Sequence, residues 1–149
     1  MNWIQELLTN KNAYTTLSSF LNQYGLTALE QALHLYTDTH QAYICKTKTS
    51  ISRINIYDIF YLEINRHNIT VHTQDGTYQK YGSLSNEIKH LAPYGFVNCN
   101  QSCIVSLNKI RSIQHTDITL INDETLHMSR KYVPRVLIAF SQYKPSKIR

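Results

Sequence analysis

Apolar positions repeat with a helical period up to about residue 38, then with a period near two from about residue 42. In the first stretch Trp3, Ile4, Leu7 and Leu8 make a short apolar face. Tyr14, Leu17, Phe20, Leu21 and Tyr24 recur at helical spacing, and Gly25 supplies a stop. Thr27 and Glu30 have the spacing of a capping box, in which the two side chains satisfy orphan backbone N–H groups. Leu26, Leu29, Leu33 and Tyr36 continue as an apolar stripe. This predicts three short helices too apolar to bury their faces alone. They must pack on the rest of the chain or on a partner subunit.

The second stretch reads as strands. Ile51, Ile54 and Ile56 lead into the strand-prone run from Ile59 to Ile64. Ile69, Val71 and Thr73 alternate with Thr70, His72 and Gln74, and Asp75-Gly76 is a hairpin signal. Tyr78 and Tyr81 belong to the return strand. Ser83 has the place of an N-cap for a short helix with Leu84, Ile88 and Leu91 inward, ended by Pro93 and Gly95. Further strands are predicted at Phe96–Cys99, Cys103–Ser106, Ile110–Ile113, Ile118–Ile121 and Thr125–Met128, with a polar turn at Asn122–Glu124. Pro134 suits the first turn of a final helix with Val133, Val136, Leu137 and Phe140 on one face. Lys144–Arg149 is a basic tail.

Composition narrows the class. At 149 residues and 42% hydrophobic, the chain is one domain, or one with a small appendage, and it can bury a core. No apolar run is long enough for a transmembrane helix. Met1-Asn-Trp-Ile-Gln-Glu6 lacks the basic and apolar regions of a signal peptide. Cys45, Cys99 and Cys103 are an odd set without zinc-type pairing, and read as reduced thiols in a cytoplasmic protein. The net charge of +5 is unevenly spread. Residues 1–42 hold Lys11 against Glu6, Glu30 and Asp38; all the remaining Lys and Arg lie further on. A basic second segment attracts phosphate backbones or anionic surfaces, and equally suits a solvated basic face.

Candidate chemistry follows from side-chain types. Four isolated glycines form no phosphate loop. Cys99 and Cys103 stand at i, i+4 with no His at metal spacing, so neither a metal nor another cofactor is expected. No nucleophile–base spacing stands out, and no enzyme is expected. Polar clusters interrupt the strands at Asn65–Asn68, at Asn98–Ser102 and at Ser129–Lys131. Asn and Gln bond adenine edges, Arg and Lys bond guanine edges, and Ser and Lys hold phosphates. Taken singly, each cluster also suits an ordinary solvated turn. Arg130 and Lys131 are less neutral. Cations at a helix N-terminus oppose its dipole by about 0.3–1 kcal/mol, which suggests an external anion.

From about residue 43 to 140 the ordered set of motifs resembles the LytTR family of bacterial DNA-binding domains. Ile56-Tyr-Asp-Ile-Phe-Tyr-Leu-Glu63 looks like the family's I-x-x-I-x-Y-I-E strand. His67 falls where family members often place a recognition His. Gly82-Ser-Leu84 resembles the opening of the family's small helix. Phe96-x-x-Cys-Asn-Gln-Ser-x-Ile-Val-Ser-Leu-Asn-Lys-Ile110 resembles F-x-R-x-H-x-S-x-x-V-N-x-x-x-I, and Met128-Ser-Arg-Lys-Tyr132 resembles V-S-R-R-Y. The chain departs from this pattern where Asn98, Asn100 and Ser106 replace the family's Arg, His and Asn. Gln101 also stands where other side chains appear.

The resemblance implies a mostly β, α+β fold: short antiparallel sheets with small helices, here preceded by a helical N-terminal segment. The expected division is a helical extension at 1–41, the DNA-binding domain at 42–142 and the tail at 143–149. It implies double-stranded DNA as partner, read by loops in successive major grooves. His67 and Gln101 would contact bases, with Arg130 or Lys131 the third base contact. Asn100, Ser102 and His127 would help grip the backbone; Arg66 and Asn68 of the first polar cluster are further candidate DNA contacts by side-chain type. About 40 residues are too few for a phosphoacceptor receiver. The helical segment is therefore expected to form a homodimer on repeated promoter sites, or to pack on its own β domain. The alternative is a protein-interaction module with weak DNA readout, which the neutral Asn98 and Asn100 favour.

Overall fold

The computed structural model describes residues 2–39 and 41–143. They form two compact units, divided between Thr37 and Asp38. The basic tail from Lys144 lies outside the described residues.

The first unit is helical. In α1 (Trp3–Thr9) the Asn2 side chain caps the helix, accepting from the Gln5 N–H at 3.0 Å. Asn10 repeats the device for α2 (Lys11–Thr39), accepting from the Ala13 N–H at 3.1 Å. Gly25 breaks α2 with φ 88° and ψ 176°, a conformation that costs a residue without Cβ little. Three helical runs result, as the periodicity predicts. The Thr27 capping box is displaced, because the helix resumes directly after Gly25 and Thr27 already lies in its first turn. Ala13, Leu17 and Phe20 of one run and Leu29 and Ala32 of the next line a groove of about 490 Å³. No residue of α1 is buried, and Trp3, Leu8, Leu26, Leu33 and Tyr36 stay exposed.

The second unit is built on a five-stranded antiparallel sheet. Its strands are β3 (Ile59–Asn65), β4 (Asn68–Thr73), β5 (Gly76–Tyr81), β6 (Phe96–Asn100) and β7 (Cys103–Ser106), in the order β5-β4-β3-β7-β6. The hairpin of β1 (Ala42–Lys46) and β2 (Ile51–Asn55) and the helix α3 (Leu84–Leu91) cover one face. The other face carries a three-stranded sheet of β8 (Ile110–Gln114), β9 (Asp117–Leu120) and β10 (Thr125–His127), together with α4 (Val133–Gln142). Alternation along the central strands, interrupted by a bulge in β3 between Ile59 and Tyr61, divides the core. Ile59, Leu62, Ile69 and Val71 point to the first face; Phe60, Tyr61, Val97 and Val105 point to the second.

Several details depart from the sequence expectations. β1 was not predicted, since Tyr43 and Cys45 are too short a pattern to signal a strand. Pairing with β2 creates it, and both side chains are buried. Gln74 and Asp75 form the hairpin turn, while Gly76 already opens β5 opposite Thr73. Leu137 is exposed, and α4 packs through Val133, Val136, Ala139 and Phe140 instead. Lys109 is buried, with its Nζ 4.1 Å from the Tyr57 ring centre and 5.3 Å from that of Phe60. Cation–π attraction accounts for that placement. Ser83 does cap α3, accepting from the Asn86 N–H at 3.4 Å, and Gly95 ends the segment in the left-handed region at φ 84°.

Candidate nucleic-acid interface

Antiparallel register carries the polar clusters to one edge. β3 and β4 pair through Asn65 and Asn68, so Arg66 and His67 form a two-residue turn. β6 and β7 pair through Asn100 and Cys103, so Gln101 and Ser102 form another. β3 runs antiparallel to β7, with Glu63 opposite Cys103. Both turns therefore leave the same end of the sheet. The Ile64 N–H donates to the Ser102 carbonyl at 2.9 Å, which fixes them side by side.

The third cluster joins through Asn100. Its Nδ2 donates to the His127 carbonyl at 3.0 Å, and its Oδ1 accepts from the Ser102 N–H at 2.8 Å and the Ser102 hydroxyl at 3.0 Å. The Ser129 N–H donates to the Cys99 carbonyl at 3.2 Å. Arg130, Lys131 and Tyr132 follow in one short 3-10 turn leading into α4. Arg66, His67, Asn68, Gln101, Ser102, His127, Arg130 and Lys131 are all exposed. Asn100 is half-buried, and internal bonds occupy its amide at both ends.

A fourth turn was missed by the sequence reading. His115 and Thr116 connect β8 to β9, and the Met128 N–H donates to the Thr116 carbonyl at 2.7 Å. Asp117 pairs across the ladder with His127, with Oδ1 3.1 Å from Nδ1. The signal was the polar run Gln114-His-Thr-Asp117, which says nothing about its neighbour ten residues on. Arg135 was missed as well. Its guanidinium lies 5.8 Å from the Tyr132 ring centre, and the Lys131 Nζ lies 5.7 Å from it. Tyr132 thus gathers cations at the start of α4.

Two of the three non-glycine residues with positive φ among the described residues lie in these turns. Arg66 has φ 61° and His115 has φ 54°. Non-glycine residues in the left-handed region cost about 1 kcal/mol each. Both lead their turns, so the long side chains stand clear of the sheet. Beneath the second turn, Cys99 and Cys103 are buried. Their mutual contact and then burial push the Cys103 thiol up, so it stays protonated.

What this edge offers is amides, imidazoles, hydroxyls and cations, with the Asp117 carboxylate paired to His127, a set that suits binding of a polyanion. No group of His, Cys, Asp or Glu among the described residues is arranged to hold a metal. No helix among them is long and apolar enough to cross a membrane.

The fold and the edge define a β domain that presents polar turns from one end of its sheets. Comparison supplies the family. The family described as the LytTr DNA-binding domain matches residues 49–140, and the chain belongs to it. That family binds DNA and is not a catalytic one. The LytTr DNA-binding domain of a putative methyl-accepting/DNA response regulator from Bacillus cereus has a similar solved structure. Its TM-score is 0.57 at 24% identity, covering 66% of this chain and 94% of that one, which supports the fold. No curated protein matches the chain. The resemblance read from the motifs and the mostly β, antiparallel architecture are both borne out.

Proposed function

We propose that the chain is a sequence-specific transcriptional regulator of the bacterial cytoplasm, binding repeated promoter sites as a homodimer. Residues 1–41 serve as the helical extension and 42–142 as the reading domain. The reading rests on one observation: the polar turns of a DNA-binding family's fold converge on one edge, joined by the Ile64–Ser102 and Asn100–His127 bonds. In this assignment His67 and Gln101 contact bases, and Arg130 or Lys131 makes the third base contact. Arg66, Asn68, Asn100, Ser102 and His127 hold the backbone, Asn100 mainly by fixing its neighbours. The exposed apolar residues of α1 and α2 support a partner surface on the helical unit.

Selecting bound fragments from random duplex DNA, then titrating them at two salt concentrations, tests this proposal. Enrichment of particular fragments, with affinity falling by roughly one power of salt per phosphate neutralised, is expected. No binding at low salt would favour the interaction-module alternative, which the neutral Asn98 and the internally bonded Asn100 support. Removing residues 1–40 and measuring solution mass tests the dimer; an unchanged oligomeric state overturns it.

A further inference from the structure

We propose that Asp117 is a positioning residue for DNA binding: it holds His127 as a cationic bridge to a phosphate. The proposal rests on the DNA-binding role given to this edge above and adds a residue to it. Among the residues of the four turns and their flanks, from 66–68, 100–102, 115–117 and 127–131, Asp117 is the one carboxylate. A bare carboxylate there would repel the duplex. This one has its Oδ1 against His127 Nδ1 at 3.1 Å.

The pair is exposed, at 74% for His127 and 58% for Asp117, and exposed ion pairs add little to stability. Its geometry is nonetheless well fixed. The two residues face each other across the β9–β10 ladder. Thr116 Oγ1 lies 3.5 Å from the same Nδ1, and the His127 carbonyl is held by Asn100. With Nδ1 taken, Nε2 is the nitrogen left to meet a ligand.

Hydrogen-bond chemistry then decides what the ring can bridge. An imidazole with N–H only on Nδ1 offers a lone pair at Nε2, which a phosphate oxygen repels. An imidazole between two anions keeps a proton on each nitrogen, so Nδ1–H donates to Asp117 and Nε2–H donates to phosphate. Asp117 on β9 is the carboxylate bonded to the ring. Thr116 contributes a neutral hydroxyl, and the next cations along the chain are Arg130 and Lys131. The carboxylate thus favours the charge that the phosphate uses.

The test has a sign. Loss of a negative charge at a DNA-binding edge should by itself strengthen binding. Asp117→Asn is expected instead to weaken it about tenfold, by removing a charge-assisted bond. The probe is a duplex selected from random DNA on the wild-type chain. Asp117→Asn should also lower the slope of log affinity against log salt by about 0.9, the signature of one lost phosphate contact, and Asp117→Glu should restore it. In a His127→Gln background, Asp117→Asn should no longer weaken binding. Equal or tighter binding by Asp117→Asn, with an unchanged salt slope, overturns the proposal while the wild type still binds. Failure of the wild type to bind any duplex at low salt overturns the DNA-binding reading itself.

Discussion

The Ile64 N–H donates to the Ser102 carbonyl at 2.9 Å, so two turns 35 residues apart in sequence stand side by side. The bond lies just beyond the last ladder pair of β3 and β7, and it extends their pairing to the rim of the sheet. Whatever binds His67 therefore meets Gln101 next to it. The relationship turns separate polar loops into one surface.

Base contacts and backbone contacts should separate under substitution. Gln101→Ala is expected to cost about 1–3 kcal/mol on the selected site and much less on scrambled DNA, as for a base reader. Lys131→Ala should do the same if it supplies the third base contact. Equal losses on both duplexes would move the residue to the backbone-holding set. Fluorescence anisotropy at fixed salt provides the measurement.

Asn100→Ala should weaken binding without touching the ligand. The substitution strands the His127 carbonyl and frees the Ser102 turn. About 1–2 kcal/mol of stability should go with it, since these bonds are partly shielded from water. Thermal unfolding and DNA titration of the same variant should both shift. A normal melting temperature with normal affinity would mean that the turn holds its shape unaided.

The Lys80–Glu87 pair supports the opposite face. Lys80 Nζ lies 2.8 Å from Glu87 Oε1, the two side chains are only 16% and 12% exposed, and the Tyr43 hydroxyl donates to the same carboxylate. Glu87→Gln leaves the ammonium largely buried without its counter-charge and is expected to cost about 3 kcal/mol. Replacing both partners by Met should cost much less, because neither charge then remains. Denaturant midpoints of the single and double variants compare the two cases.

Alkaline pH should unfold the domain through protons that the fold retains. Burial, then the bond to Glu87, pushes the Tyr43 phenol well above its ordinary range, and burial pushes the Cys45 thiol up to about 11. A group with a raised folded pKa stabilises fully below its unfolded value, and the contribution fades as pH rises towards the folded one. Loss should begin near the ordinary thiol value of 9.0 and steepen past the phenol value of 10.0. Cys45→Ala should flatten the onset and Tyr43→Phe the steeper part, with the Cys103 thiol, held up by its contact with Cys99 and then by burial, and the Tyr61 phenol, raised first by burial, each keeping some slope. Denaturant melts at about pH 8, 9.5 and 10.5 measure both.

Gly95→Ala should destabilise the second unit. The residue sits at φ 84°, and an added Cβ would lie 2.6 Å from Tyr143 Cε2, just beyond α4. Strain and overpacking together suggest a cost of about 2–3 kcal/mol. A melting temperature within a degree of wild type would show that Tyr143 yields easily.

Local chemistry determined most of the elements by itself. Gly25 breaks the helix because no Cβ hinders its conformation. Ser83 caps α3, Gly95 ends that segment, a strand-prone run names β3 and two-residue alternation names β4, because each signal acts over a few neighbouring residues. The ordered motifs were legible for the same reason, and with them the family. Tertiary structure decided what depends on partners distant in sequence. β1 exists because β2 pairs with it, and Leu137 faces solvent because α4 rolls its Val136 side onto the core. Lys109 is buried because Tyr57 and Phe60 surround its ammonium. At the candidate interface, sequence supplied His67, Gln101 and Lys131 as separate polar groups. It could not supply Asp117 beside His127, since cross-strand register, set by burial of Ile118 and Leu120, decides which side chains meet.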